Sequence, residues 1–192
     1  MVEAERKKQI ISHTIAIIGD LGLQGLTTAV IAKRCGITEA AIYRHFENKE
    51  AILTSVVNFI GERLLFVLNK IISEDISPLQ KLNTIFQTHL DHIETNKGIP
   101  KIIYTTEVHV NEKLRQILFK IVETYIDKIS AILKDGINEN QIKQTISISV
   151  EAKKFLSMIQ FTAFRYSLSG FEKKPSIEGK PLWDSYLESI QK

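Results

Sequence analysis

The sequence predicts an all-α protein: an N-terminal three-helix head carrying a helix-turn-helix, followed by a larger helical bundle, about nine helices in total. Three observations lead there. Apolar residues recur at three- and four-residue intervals in nearly every segment. Capping residues and glycines bracket those segments at helical lengths. The one run that alternates like a strand, residues 145–150, has no second such run to pair with, and a lone strand has no hydrogen-bonding partner.

Taken in order, Ile10, Ile11, Ile17, Ile18 and Leu21 form one apolar stripe on a first helix over about 4–21, closed by Gly22. Thr27 or Thr28 caps a short second helix ending at Gly36. Thr38 caps a third helix reaching His45 or Phe46, its hydroxyl accepting from an orphan N–H of the first turn. Asn48 opens a long fourth helix to about Ile72. Ser77-Pro78-Leu79-Gln80 is a capping box with proline at the first helical position, and it starts a helix that stops at Asn96-Lys97-Gly98 and Pro100. A short helix is expected over 99–107, and another from the Asn111 cap to about Lys134, terminated by Gly136. The alternating run 145–150 reads as an extended lead-in, or first turn, of a helix over about 150–169 that ends at Gly170. After a loop over 172–180, Pro181 begins a last helix through Ile190.

Bulk properties exclude more than they assign. The 192 residues are 44% hydrophobic and 24% charged, an ordinary soluble composition without low-complexity tracts. The charged N-terminus is unlike a signal peptide, and no run approaches the roughly 18 uncharged apolar residues of a membrane span. One cysteine excludes an intramolecular disulfide and a multi-cysteine zinc site, and it fits a reducing cytoplasm. Seven Lys/Arg against five acids in residues 1–49 is too small an excess to argue nucleic-acid binding by composition. Position has to carry that argument.

It does so at residues 28–47. A helix-turn-helix needs a small residue where its helices cross, a residue tolerating positive φ in the turn, and an apolar plug in the second helix. Ala32, Gly36 and Ile42 meet these needs at the required spacing, with Ile31, Cys35 and Ile37 packing around the turn. The stretches Gly22-Leu23-Gln24-Gly25-Leu26-Thr27-Thr28, Ile31-Ala32, Gly36-Ile37-Thr38, Ile42-Tyr43-Arg44-His45-Phe46 and Lys49-Glu50 resemble the TetR family of transcriptional regulators. The match covers about 50 residues. Ile18, Cys35 and Ala40 depart from the aromatic, alanine and glycine usual there. The resemblance implies a DNA-binding domain over 1–48 and a ligand-binding and dimerisation domain over 49–192.

Residue chemistry supplies candidate DNA contacts. Hydroxyls at helix N-termini (Thr27, Thr28, Thr38) suit phosphate oxygens. Tyr43, His45 and Lys49 are further phosphate donors flanking the groove, while Glu39, Ala40 and Arg44 face base edges. Alternatives stand beside them: Tyr43 and Phe46 as core aromatics, Glu39 as a helix cap, Cys35 as plain packing in the hinge.

In the C-terminal part, the helix after Asn111 is apolar on two sides, with Leu114, Leu118, Ile121, Tyr125, Ile129 and Ile132 on one and Phe119, Val122, Ile126 and Leu133 on the other. On the helix over 150–169, Phe155, Ile159, Thr162 and Tyr166 share one face and Phe161, Phe164 and Leu168 share a second. Phe164 and Leu168 of the second face, with Leu182, Tyr186 and Ile190, form the candidate homodimer seam. Dimerisation also follows from DNA geometry, because one short helix reads few base pairs and two half-sites about 34–36 Å apart give useful specificity.

The family resemblance further implies a small-molecule effector in the bundle, with Phe59, Phe66, Phe86, His89, Tyr104, Phe119, Phe155, Met158 and Phe161 as candidate lining. Each reads more readily as plain core than as a ligand contact, and His89 reads at least as well as a core histidine with a satisfied hydrogen bond. His89 and His92 lack a clear third ligand, so no metal is expected, and no cofactor. The expected function is a cytoplasmic, ligand-responsive regulator, a repressor, that binds double-stranded operator DNA as a homodimer and is released by a largely apolar effector. The rival classes are a helical enzyme or metal protein and a partner-binding helical protein. The first lacks a His-Glu-x-x-His, a phosphate-binding glycine loop and a nucleophile–base pair.

Overall fold

The computed structural model describes residues 2–192. Among them are ten helices: α1 (Val2–Leu21), α2 (Thr28–Cys35), α3 (Glu39–His45), α4 (Lys49–Ile72), α5 (Pro78–Thr95), α6 (Gly98–Ile103), α7 (Thr106–Val110), α8 (Glu112–Asn138), α9 (Ile148–Leu168) and α10 (Pro175–Ile190). The all-α expectation holds, with one isolated antiparallel bridge between Ile142 and Gln191. Residues 145–147 lead into α9 without pairing.

The chain forms two compact units. The first runs through Glu62 and takes in Asn96–Leu118; the second comprises Arg63–Thr95 and Phe119–Lys192. The boundary expected at 48/49 therefore falls inside the first unit, which holds α1–α3, the first half of α4, α6, α7 and the start of α8.

Within the first unit, Ile10, Ile17 and Ile18 are fully buried with Leu26, Ile31, Ile42, Ile52 and Val56. Leu21, assigned to the same stripe, is 55% exposed because α1 ends there at Gly22 in the left-handed region (φ 71°). α1 crosses α6 with backbone nearly touching backbone. A Cβ at Gly98 would lie 2.1 Å from the Ile15 carbonyl oxygen, and one at Gly19 would lie 3.1 Å from the Gly98 nitrogen. The Lys101 ammonium donates to the Gly19 carbonyl at 2.6 Å across the same crossing.

The second unit closes over an aromatic centre. Phe86 and Phe155 meet edge to face at 5.7 Å, with Trp183 and Tyr186 within 6.4 Å of Phe155. Three expected boundaries move here or beside it. The helix expected over 99–107 is two short ones, α6 and α7, because Thr105 starts a new helix by accepting from the Val108 N–H. Gly136 does not end α8. Its missing side chain makes room for Ile142, whose Cδ1 would be 2.5 Å from a Cβ there, and the left-handed residue is Asn140 (φ 62°). The last helix begins at Pro175, not Pro181, which lies inside it. The Glu94 carboxylate on α5 accepts from both the backbone N–H (3.3 Å) and hydroxyl (2.7 Å) of Ser176, so one orphan donor of that first turn is satisfied from 82 residues away. These bonds, with Lys174 nearby, hold the Glu94 carboxyl below its usual range.

α4 is the one helix among the described residues long and apolar enough to cross a membrane by length and composition. Glu62 and Arg63 interrupt it midway, and Ile52, Val56 and Leu68 on it are buried in the protein.

Candidate functional site

Residues 27–46 fold as their local chemistry dictates. Thr27, extended at φ −129°, caps α2 by accepting from the Val30 N–H at 3.2 Å, which settles the choice between Thr27 and Thr28. Gly36 turns the chain at φ 65°, and the Ile37 N–H reaches back to the Ala32 carbonyl at 3.0 Å. Thr38 caps α3 through the Ala41 N–H at 3.2 Å. Ala32 and Ile42 are buried at the crossing. Cys35 is buried beside them, and burial pushes its thiol pKa up, away from reactivity.

With Ile42 and Phe46 inward, α3 turns Glu39, Ala40, Tyr43 and Arg44 to solvent. Tyr43 is 53% exposed, so it is not a core aromatic; Phe46, at 3%, is. The Phe46 ring also lies under the Lys7 ammonium, 5.2 Å from its centroid. Glu39 does not cap its helix, since Thr38 fills that role. Its Oε2 accepts instead from the Thr28 hydroxyl at 2.6 Å, and the Tyr43 hydroxyl stands 3.5 Å from the same Thr28 oxygen. The expectation of Thr28 as a phosphate donor is thereby altered: its proton is committed to Glu39. Lys49 donates to the Leu23 carbonyl at 3.3 Å, which draws it against the head while leaving two of its three ammonium protons. His45 is half-buried, and with Arg44, Ala41 and Ile37 it lines an open cleft whose other wall is Glu3 and Arg6 of α1. Arg6 was missed from the sequence, because a charged N-terminal turn gives no sign of what it will face.

The second unit contains a small cavity of about 70 Å³ between α4, α5 and α8. Leu64, Val67, Leu68, Ile71 and Ile85 give it aliphatic walls; Arg63, Thr88, His89, His92 and Tyr125 give it polar ones. Of the expected lining only His89 is present. Phe86 and Phe155 are fully buried in the aromatic centre, while Phe66, Phe119 and Phe161 are 58–65% exposed on the outside. Phe59 and Tyr104 belong to the first unit, and Met158 lies in a separate shallow depression with Phe161 and Leu182. The walls of this cavity are instead branched aliphatic residues at helical spacing along α4. His89 Nδ1 lies 3.2 Å from the Tyr125 hydroxyl. Burial, with His92 close by, drives the His89 pKa down to about 3, so the ring is neutral; His92 is lowered by burial and by Arg63. Among the described residues no three metal-ligating side chains cluster.

Residues 10–56 match the family described as bacterial regulatory proteins, tetR family, and solved TetR regulators share the whole fold. Residues 10–56 are a TetR-type DNA-binding head, in a chain of TetR-like fold. Among TetR-type structures, a transcription regulator from Haloarcula marismortui superposes with a TM-score of 0.86 at 16% identity, covering 98% of this chain and 100% of that one. The regulator FadR from Bacillus subtilis, solved with stearoyl-CoA, superposes at 0.81 with 21% identity over 95% and 98%. In sequence, the nucleoid occlusion factor SlmA of Vibrio vulnificus is 28% identical over 84% of this chain and 83% of its own. SlmA of Alteromonas mediterranea is 27% identical over 97% and 96%. The chain thus has the fold of TetR-family DNA-binding regulators, and none of these relatives is named as an enzyme.

On the TetR-type bundle, the second face of α9 is open to solvent. Phe161 is 58% exposed, Phe164 40% and Leu168 70%, with Leu182 of α10 at 37%. Tyr186 and Ile190, placed on the same seam by sequence, are interior instead. Ile190 is fully buried, and the Tyr186 hydroxyl donates to the Glu151 carbonyl at 3.1 Å inside the unit.

Proposed function

We propose that this chain is a ligand-responsive transcriptional repressor of the cytoplasm, binding a two-fold operator as a homodimer. The observation that carries the reading is the face of α3. Glu39, Ala40, Tyr43 and Arg44 are all exposed on a capped helix presented by a left-handed turn at Gly36. A helix so presented enters a major groove with its N-terminal residues against base edges. Tyr43, His45, Lys49 and the cap threonines Thr27 and Thr38 flank it as phosphate contacts, and Arg6 extends that row. Thr28 acts through Glu39, fixing one carboxylate oxygen and leaving the other to accept from a base amino group.

Arg44→Ala is expected to lower discrimination at one operator position by about 5–150-fold, the loss of a bidentate guanine contact of roughly 1–3 kcal/mol, with the melting curve unchanged. Selection from a duplex library at two salt concentrations measures this. Unchanged selectivity would remove Arg44 from base reading, and a flat salt response would remove DNA binding itself.

For the dimer, the exposed stripe Phe161, Phe164, Leu168 and Leu182 supports a seam across a two-fold axis. Leu168→Arg is expected to yield monomers in sedimentation, with operator affinity falling in parallel; a dimer of wild-type mass would move the seam elsewhere. Release by an effector is supported by the bundle cavity and by the FadR neighbour solved with stearoyl-CoA.

A second reading rests on the SlmA relatives, which align over most of the chain at higher identity than the structural neighbours just described. As a nucleoid occlusion factor the protein would occupy many chromosomal sites. Genome-wide footprinting separates the two: a few promoter-proximal sites favour the regulator, many dispersed sites the occlusion factor.

A further inference from the structure

The cavity in the second unit has one-sided chemistry. Its polar groups are a guanidinium, two imidazoles and two hydroxyls, and no carboxylate lines it. A guanidinium is permanently charged. Arg63 sits exposed at the rim, and the ion pairs among the described residues do not include it. Both imidazoles are held toward neutrality, His89 by burial and His92, and His92 by burial and Arg63. Positive charge is thus concentrated at one end of a pocket whose remaining wall is Leu64, Val67, Leu68, Ile71 and Ile85.

Such a site is complemented by an anion with a hydrocarbon body. A divalent cation meets repulsion and finds no carboxylate. A neutral alcohol leaves the guanidinium without a counter-charge. The size is also limiting. About 70 Å³ is well below the roughly 300–1,000 Å³ of drug-sized pockets, and it admits a body of a few carbons.

We propose that this cavity binds a short aliphatic carboxylate, the Arg63 guanidinium taking the carboxylate at the mouth and the α4 and α5 aliphatic side chains enclosing the tail. Guanidinium–carboxylate pairing is bidentate and directional, so it orients the ligand as well as holding it. Thr88 lines the same cavity and supplies a further hydroxyl donor, while the His89–Tyr125 bond holds two of the walls together. The proposal names the ligand class for the effector site in the regulator reading and rests on that reading for its biological role.

Calorimetric titration of the full chain with butyrate, isovalerate, 1-butanol and decanoate tests it. Butyrate or isovalerate is expected to bind, with 1-butanol and decanoate much weaker. Arg63→Gln is expected to weaken the carboxylates by roughly 10–150-fold, the scale of a charged hydrogen bond, without changing the melting curve, since Arg63 is exposed. Val67→Phe, which fills the half-buried aliphatic wall, is expected to abolish binding through a different residue. Equal binding of butyrate and 1-butanol, no heat at millimolar ligand, or affinity rising steadily to decanoate overturns the proposal. If carboxylates bind but operator affinity does not respond, the cavity assignment stands and ligand control of DNA binding fails. If operator affinity responds to another ligand while carboxylates do not bind, only the cavity assignment fails.

Discussion

Alanine at Gly98 is expected to destabilise the first unit by about 1–3 kcal/mol or more, the usual range for overpacking a well-filled contact. The added methyl would stand 2.1 Å from the Ile15 carbonyl oxygen and 3.0 Å from its carbon, and both are backbone atoms of α1. A side chain can rotate away from such an intruder; a helix backbone retreats only by moving the whole crossing. α1 also carries Arg6 beside the α3 cleft, and its Gly19 carbonyl accepts from Lys101. Operator affinity is therefore expected to fall along with the denaturant midpoint. Urea unfolding followed by circular dichroism is the measurement. A midpoint within experimental error of wild type would show that the α1–α6 crossing relaxes more easily than its geometry implies.

The largest loss is expected in the second unit. Phe155→Ala removes a fully buried ring that meets Phe86, Trp183 and Tyr186, and the expected cost is about 3–5 kcal/mol. The exposed Phe66 of the same unit is the internal control, with an expected change within about 0.5 kcal/mol. This pair also separates two roles for the aromatics. As core, Phe155 governs the unfolding midpoint and leaves ligand affinity per folded molecule unchanged. A variant with wild-type stability and altered ligand affinity would return Phe155 to a binding wall.

Much of the architecture was legible because its signals are local. Thr27, Gly36 and Thr38 act on residues at most four positions away, and so do Ser77 and Gln80, whose reciprocal bonds open α5. Ile42 and Phe46 follow a period set by the helix itself. What escaped depends on distant partners. The start of α10 needs Glu94, and a stretch rich in lysine, proline and glycine reads as loop without it. Gly136 looks like a terminator until Ile142 is seen to need its space. Tyr186 and Ile190 continue the spacing of Leu182, but which side of α10 faces inward is decided by α5 and α9. The expected pocket lining and the cavity in the second unit differ for a similar reason. Aromatic side chains mark a pocket only when helix packing leaves room beside them, and in this bundle the room lies next to Arg63 and the α4 aliphatics.

The hydroxyl-to-carboxylate bond between Thr28 and Glu39 has a bearing on engineering. Operator preference is commonly imagined as portable, carried by the short groove-facing helix and transferable by exchanging its residues. Under the proposed operator reading, the carboxylate's aim depends on a threonine from the preceding helix, so the smallest transplantable reading unit spans both helices and the turn that joins them. A chimera receiving 39–45 alone would inherit the letters of the code without the hinge that holds one of them in place.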